Sequence, residues 1–253
     1  MVLLALVLLA RPGRAAEIVD LPSAAGGTQR VWYDAPANPW AVVILFMGGD
    51  GINGLTPEGD FRRGGNFLIR TRPLWLAQGL GVLIPDKPAG LSDLYGRRTS
   101  ADYARDIRDL ASFARARSSA PIWLIGTSLG SITAAAGAAS LTRGEIAGAV
   151  LTSTVTRRGA GAQMWERVFT AELPAIYVPV LVVAHENDGC AYSSPANAPG
   201  LCAALTGAPR TEIFLVTGGS PPCSGPCEPF AAHGYFGIEA EVVGRIAGWM
   251  RGR

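Results

Sequence analysis

The chain has 253 residues, of which 49% are hydrophobic and 17% charged, and its formal net charge is +2. That composition excludes an intrinsically disordered chain, and the length suits one domain able to bury a core. The basic residues are scattered apart from pairs such as Arg62-Arg63 and Arg157-Arg158, which gives no basic stripe for nucleic acid.

The N-terminal run Val2–Ala10 is unbroken and apolar. It is too short for the roughly 20 residues that a membrane-spanning helix needs. Its length is that of a secretory signal core, and Gly13 and Ala15 supply small residues for a cleavage site. Residues 1–16 are therefore expected to be a signal peptide and 17–253 the working domain. Arg30–Tyr33 is expected to contribute to an antiparallel hairpin at one sheet edge.

From Ala41 onward short apolar runs alternate with helix-like stretches. The expected strands are Ala41–Phe46, Gly81–Pro85, Pro121–Ile125, Ala149–Thr152, Val180–Ala184 and Thr211–Val216. Several are continuously apolar, as strands covered on both faces are. The expected helices are Asn66–Gln78, Ala101–Arg117, Leu129–Leu141, Ser194–Leu205 and Gly237–Met250. Ala101–Arg117 places Tyr103, Ile107, Leu110 and Phe113 on one face, and Thr99 with Asp102 forms its expected capping pair. Such alternation predicts an α/β fold with a mostly parallel sheet between helices. The irregular stretches Gly48–Gly65, Thr152–Tyr177 and Thr217–Gly234 all follow expected strand ends, where open parallel sheets place their sites.

Gly126-Thr127-Ser128-Leu129-Gly130 joins an expected strand to an expected helix. A serine on so tight a turn has its hydroxyl lifted clear of the sheet with a helix start behind it, and only small neighbours fit. The motif alone is a weak signal, and an inert glycine-bracketed turn is the competing explanation. The strand before it and the helix after it favour a nucleophile.

A serine nucleophile needs a base, and the chain has only two histidines, His185 and His233. His233 lies in a loop before the last helix. His185 directly follows a strand and sits too close in sequence to the candidate acid Asp188 to serve easily as base. It is read as a surface or supporting residue, and Glu186 is the fallback acid. The order Ser128, Asp188, His233 then assigns nucleophile, orienting acid and base. Oxyanion donors are expected from the N–H of Leu129 and from the glycine-rich stretch Phe46-Met47-Gly48-Gly49-Asp50-Gly51, with Gly49 first and Asp50 second. A phosphate cradle is disfavoured because no Gly-Lys-Ser/Thr ending follows.

The four cysteines, Cys190, Cys202, Cys223 and Cys227, lie in the last third of the chain. In an exported chain an even number suggests disulfides, and the sequence leaves three pairings open. Buried free thiols are one alternative. Zinc, suggested by Cys223-x-x-x-Cys227, lacks a compact second ligand pair.

The glycine-rich stretch, the serine turn and the Ser–Asp–His order resemble the α/β-hydrolase superfamily over most of the chain. More narrowly, the likeness is to small exported bacterial α/β hydrolases of unassigned substrate. It rests on Gly48-Gly49-Asp50-Gly51, Gly65-Asn66-Phe67-Leu68-Ile69-Arg70, Gly126-Thr127-Ser128, Asp188-Gly189-Cys190, Pro226-Cys227 and His233-Gly234-Tyr235. The His-Gly-Gly-Gly motif of lipases and esterases is absent. The resemblance implies a single-domain α/β-hydrolase fold with a minimal cap, for which Thr152–Tyr177, carrying Trp165 and Phe169, is the candidate segment. It implies a periplasmic or secreted serine hydrolase acting on a small acyl substrate, an ester, thioester or amide, through an acyl-enzyme. Neither metal nor organic cofactor, nucleic-acid partner nor stable membrane insertion is implied. It also points to a Cys190–Cys227 bridge between the acid and base loops, with Cys202–Cys223 nested inside. An acyltransferase using the same residues and a non-catalytic binding protein on the same fold are the rival functions.

Overall fold

The computed structural model describes residues 16–159 and 166–252. An eight-stranded sheet runs through it in the order β1-β2-β4-β3-β5-β6-β7-β8. β1 (Glu17–Pro22) and β2 (Thr28–Asp34) form an antiparallel hairpin at one edge, and β2 pairs antiparallel with β4 (Gly81–Pro88). The rest of the sheet is parallel: β3 (Val42–Phe46), β5 (Ile122–Thr127), β6 (Gly148–Thr152), β7 (Val180–His185) and β8 (Thr211–Val216), with β4 beside β3. The expected mostly parallel sheet is present. β8 forms the opposite edge, and its outer side is unpaired among the described residues.

The two faces of the sheet carry separate apolar layers. Side chains alternate along a strand, so Val42, Ile44 and Phe46 enter one layer while Val43 and Leu45 enter the other. The first layer packs under α3 (Ala101–Arg117), α4 (Gly130–Ser140) and α5 (Ala198–Ala204). The second packs under α1 (Phe67–Arg70), α2 (Arg72–Ala77) and α6 (Glu239–Met250). All five residues of β3 are buried, which is why its run carries no polar alternation.

Three local expectations are corrected. The helix expected over Asn66–Gln78 is two short helices parted at Thr71, because Pro73 has no N–H and restricts Arg72. α3 is capped by Ser100, whose side chain accepts from the Tyr103 N–H, and not by Thr99. The helix expected from Ser194 begins as a single 3-10 turn, Pro195–Asn197, before α5. The segment expected as a signal peptide lies outside the described residues except for Ala16, which packs on the second apolar layer. Among the described residues, no helix is long and apolar enough to cross a membrane.

Candidate active site

β5 runs past the expected end at Ile125 through Thr127, and Ser128 follows in left-handed backbone at φ 54°. The turn closes so tightly that a Cβ on Gly126 would lie 2.1 Å from the Gly130 carbonyl oxygen. A Cβ on Gly130 would lie 2.1 Å from the Phe46 carbonyl oxygen and 2.5 Å from that of Met47. These contacts are with backbone, which cannot step aside. Gly130→Ala is therefore expected to destabilise the fold by more than about 3 kcal/mol. Denaturant unfolding checks this; a midpoint equal to wild type would mean that the turn is looser than described.

The Ser128 N–H donates to Thr152 O at 3.0 Å, which ties the turn to the end of β6. Gly48 passes directly against the serine: a Cβ there would meet Ser128 Cβ at 2.7 Å. Gly49 follows at φ 62°. Neither the Gly49 nor the Leu129 N–H donates to another described residue. The Gly49 carbonyl is held from behind by the Arg98 guanidinium, itself fully buried and paired with Glu166 at 3.1 Å. Asp50, the second choice for a donor, turns its carboxylate to the Ile52 N–H and to Arg63.

Asp188 sits just beyond the end of β7, where its Oδ1 accepts the Cys190 N–H at 2.9 Å. Its Oδ2 lies 2.9 Å from His233 Nδ1. A carboxylate can only accept, so Nδ1 is the donor in this contact, and in the neutral imidazole Nε2 is then the acceptor. His233 Nε2 is buried and has no hydrogen-bond partner among the described residues. Ser193 Oγ also lies 3.2 Å from Nδ1. Ser128 and His233 line one cavity of about 350 Å³ together with Met47, Gly48, Gly49 and Phe67. The arrangement offers a lifted hydroxyl, an imidazole whose Nε2 is unengaged, and two unengaged N–H groups next to them.

His185 is not part of this group. Its Nδ1 accepts the Asn187 N–H at 3.0 Å and its Nε2 donates to the Gly218 carbonyl at 2.9 Å, so both ring nitrogens are spent on the strand end. Glu186 is exposed. Cys190 and Cys227 form a disulfide joining the Asp188 loop to the loop before His233, and Cys227 lines the cavity. The nested Cys202–Cys223 bridge is overturned, since both thiols are free. Cys202 is turned from α5 toward the first apolar layer, where burial raises its thiol pKa, whereas Cys223 is exposed in the loop after β8. Of the candidate cap, Trp165 lies outside the described residues. Phe169 is 38% exposed, and no described residue of Thr152–Tyr177 other than Thr152 itself approaches the serine turn through a backbone hydrogen bond.

Sequence reasoning missed the supports. Arg70 donates to the carbonyls of Gly65 and Gly234, at 2.7 and 2.6 Å, and pairs with Glu239. It stands in the quoted Gly65–Arg70 stretch, but an arginine after a helix-like run carries no sign of such contacts. Ser153, Ser193 and the Arg98–Glu166 pair gave no signal at all, because each acts through neighbours distant in sequence.

No protein-family model and no curated protein sequence matches the chain. Solved structures do. An esterase of Pyrococcus furiosus is similar over 94% of this chain and 90% of its own, at 14% identity and a TM-score of 0.68. A thermostable carboxyl esterase of Bacillus coagulans is similar over 94% and 99%, at 14% identity and a TM-score of 0.64. A lidless α/β serine hydrolase of Xanthomonas campestris is similar over 95% of both chains, at 15% identity and a TM-score of 0.58. At such identities the likeness is one of fold, and chemistry has to be argued from the site.

Proposed function

We propose that this chain, which has the α/β-hydrolase fold, is a serine hydrolase that cleaves small carboxylic esters through an acyl-enzyme. The observation that carries the reading is His233: its Nδ1 is on Asp188 at 2.9 Å, its Nε2 has no hydrogen-bond partner among the described residues, and the residue lines the same cavity as Ser128. In this reading Nε2 takes the Ser128 proton as the hydroxyl attacks the ester carbonyl. Asp188 holds the imidazole tautomer and stabilises the imidazolium. The N–H groups of Leu129 and Gly49 receive the oxyanion, each donor contributing about 3–4 kcal/mol in comparable sites. Imidazolium then protonates the leaving alkoxide, and water, deprotonated by the same nitrogen, releases the acid. Esters are placed ahead of thioesters and amides because two of the similar structures are esterases.

A fluorophosphonate probe should label the folded protein on Ser128 and fail on Ser128→Ala. A cavity of about 350 Å³ lies at the small end for ligand sites. Acetyl and butyryl esters should therefore exceed a palmitoyl ester by about tenfold or more in kcat/KM. A preference for the palmitoyl ester would refute the size argument, and absence of labelling would refute the nucleophile.

Export is part of the same proposal. The Cys190–Cys227 disulfide supports it, since such bonds persist in oxidising compartments. The intact mass of protein from the native host should correspond to a chain beginning near Ala16. A cytosolic species retaining residues 1–15 would contradict it.

A further inference from the structure

Among the described residues, the non-glycine positions in left-handed backbone are Ser128, Ser153 and Tyr235, at φ 54°, 42° and 57°. Such backbone is unfavourable for residues with a Cβ and persists only where the surroundings over-determine it. These positions are far apart in sequence but belong to one hydrogen-bonded set. The Ser128 N–H donates to the Thr152 carbonyl at 3.0 Å. The next residue, Ser153, donates its hydroxyl to the His233 carbonyl at 2.7 Å. The Ser153 N–H meets the Val183 carbonyl and the Tyr235 hydroxyl oxygen, both at 3.0 Å. The Tyr235 hydroxyl closes the triangle by donating to the same Val183 carbonyl at 2.9 Å. Thr152, Ser153 and Tyr235 are all fully buried, and Val183 lies on β7, the strand that delivers Asp188.

We propose that Ser153 is a positioning residue that fixes the backbone of His233 relative to Ser128, with Tyr235 clamping Ser153 to β7. The proposal rests on the reading of His233 as the base. The ring and its main chain are then held separately, the ring by Asp188 with Ser193 also at Nδ1. Asp188 fixes the rotation of the ring, and the Ser153 hydroxyl fixes the main chain from which the ring extends. Adjacent residues at the end of β6 thus serve both reacting partners, Thr152 the nucleophile and Ser153 the base. A left-handed turn without such a duty is met with less strain by glycine. At position 153 a serine takes that strained backbone, and its hydroxyl is spent on the carbonyl of the base.

The test compares Ser153→Gly and Ser153→Ala with the full-length wild-type chain. Glycine removes the hydroxyl yet accepts φ 42° without strain, so it folds even if the alanine variant does not. Both variants should lose about tenfold or more in kcat with KM nearly unchanged, because a small displacement of a reacting group is amplified in the rate. The fluorophosphonate labelling rate should fall in parallel. The His233 Nδ1–H proton resonance, read without substrate, should shift or broaden. A folded Ser153→Gly with wild-type kcat and an unmoved resonance overturns the proposal and leaves Ser153 a turn residue. A wild-type chain that does not label sinks the serine-hydrolase reading instead, while the imidazole resonance still decides whether Ser153 positions His233.

Discussion

Replacing Ser128 with alanine is expected to lower kcat/KM for the best ester by roughly 10⁴- to 10⁶-fold, and His233→Ala by a similar factor. Asp188→Asn should cost about 10⁴-fold, because an amide in place of the carboxylate admits the wrong imidazole tautomer. The Ser128→Ala/His233→Ala double variant should be little worse than the worse single one, since the groups act as a unit. His185→Ala is the contrasting case. It leaves the Gly218 carbonyl and the Asn187 N–H without their partner, which should lower stability by about 1–3 kcal/mol while turnover stays near wild type. Steady-state kinetics with parallel unfolding curves separates the two effects. If His185→Ala were inactive and His233→Ala kept its rate, the base would be misassigned.

Reduction of the Cys190–Cys227 bridge is expected to destabilise the protein and to slow it. The bridge closes a sequence separation of 37, worth about 4 kcal/mol on the chain-entropy account. The kinetic effect has a separate origin. The Cys190 N–H holds one oxygen of Asp188 while Cys227 forms part of the cavity wall, so the bond fixes the Asp188 loop against the loop before His233. A Cys190→Ser/Cys227→Ser variant should show both losses without reductant, and Cys202→Ser and Cys223→Ser should show neither. Reduced protein that remains folded at full activity would show that the bridge has no part in holding the acid to the base.

The sheet was legible because its central strands are buried on both faces. Val42–Phe46 and Val180–Ala184 are apolar throughout and lie between turn-forming stretches too close together for a helix of ordinary length. Ala101–Arg117 was legible for the opposite reason, since its apolar residues keep to one face. The break at Thr71 was missed although Pro73 announced it. Cysteine pairing was half legible. Nothing in the sequence says that Cys202 faces the core from a helix while Cys223 lies in an exposed loop. At the site, chain order singles out Ser128, Asp188 and His233, but residues that act on their backbone leave no trace. Ser153 touches His233 across 80 positions, and only its φ and its burial distinguish it from the other serines. Arg98 is of the same kind: one of many scattered arginines in sequence, and in space a fully enclosed charge against the Gly49 carbonyl.

The unpaired outer side of β8 has a consequence of another sort. Thr211–Val216 is rich in branched and aromatic side chains, and Leu215 is 47% exposed. A strand of that kind with one open side is a template on which another chain can add, the first step toward fibrous or amorphous aggregates. Charge surrounds it here. Glu212 and Arg210 pair at its start, and the Arg245 guanidinium covers the Phe214 ring at 4.8 Å. Proteins commonly guard exposed edges with such charged groups, which act as gatekeepers. Through them the strand beside β7 keeps its open side flanked by charge, which opposes the addition of a further strand.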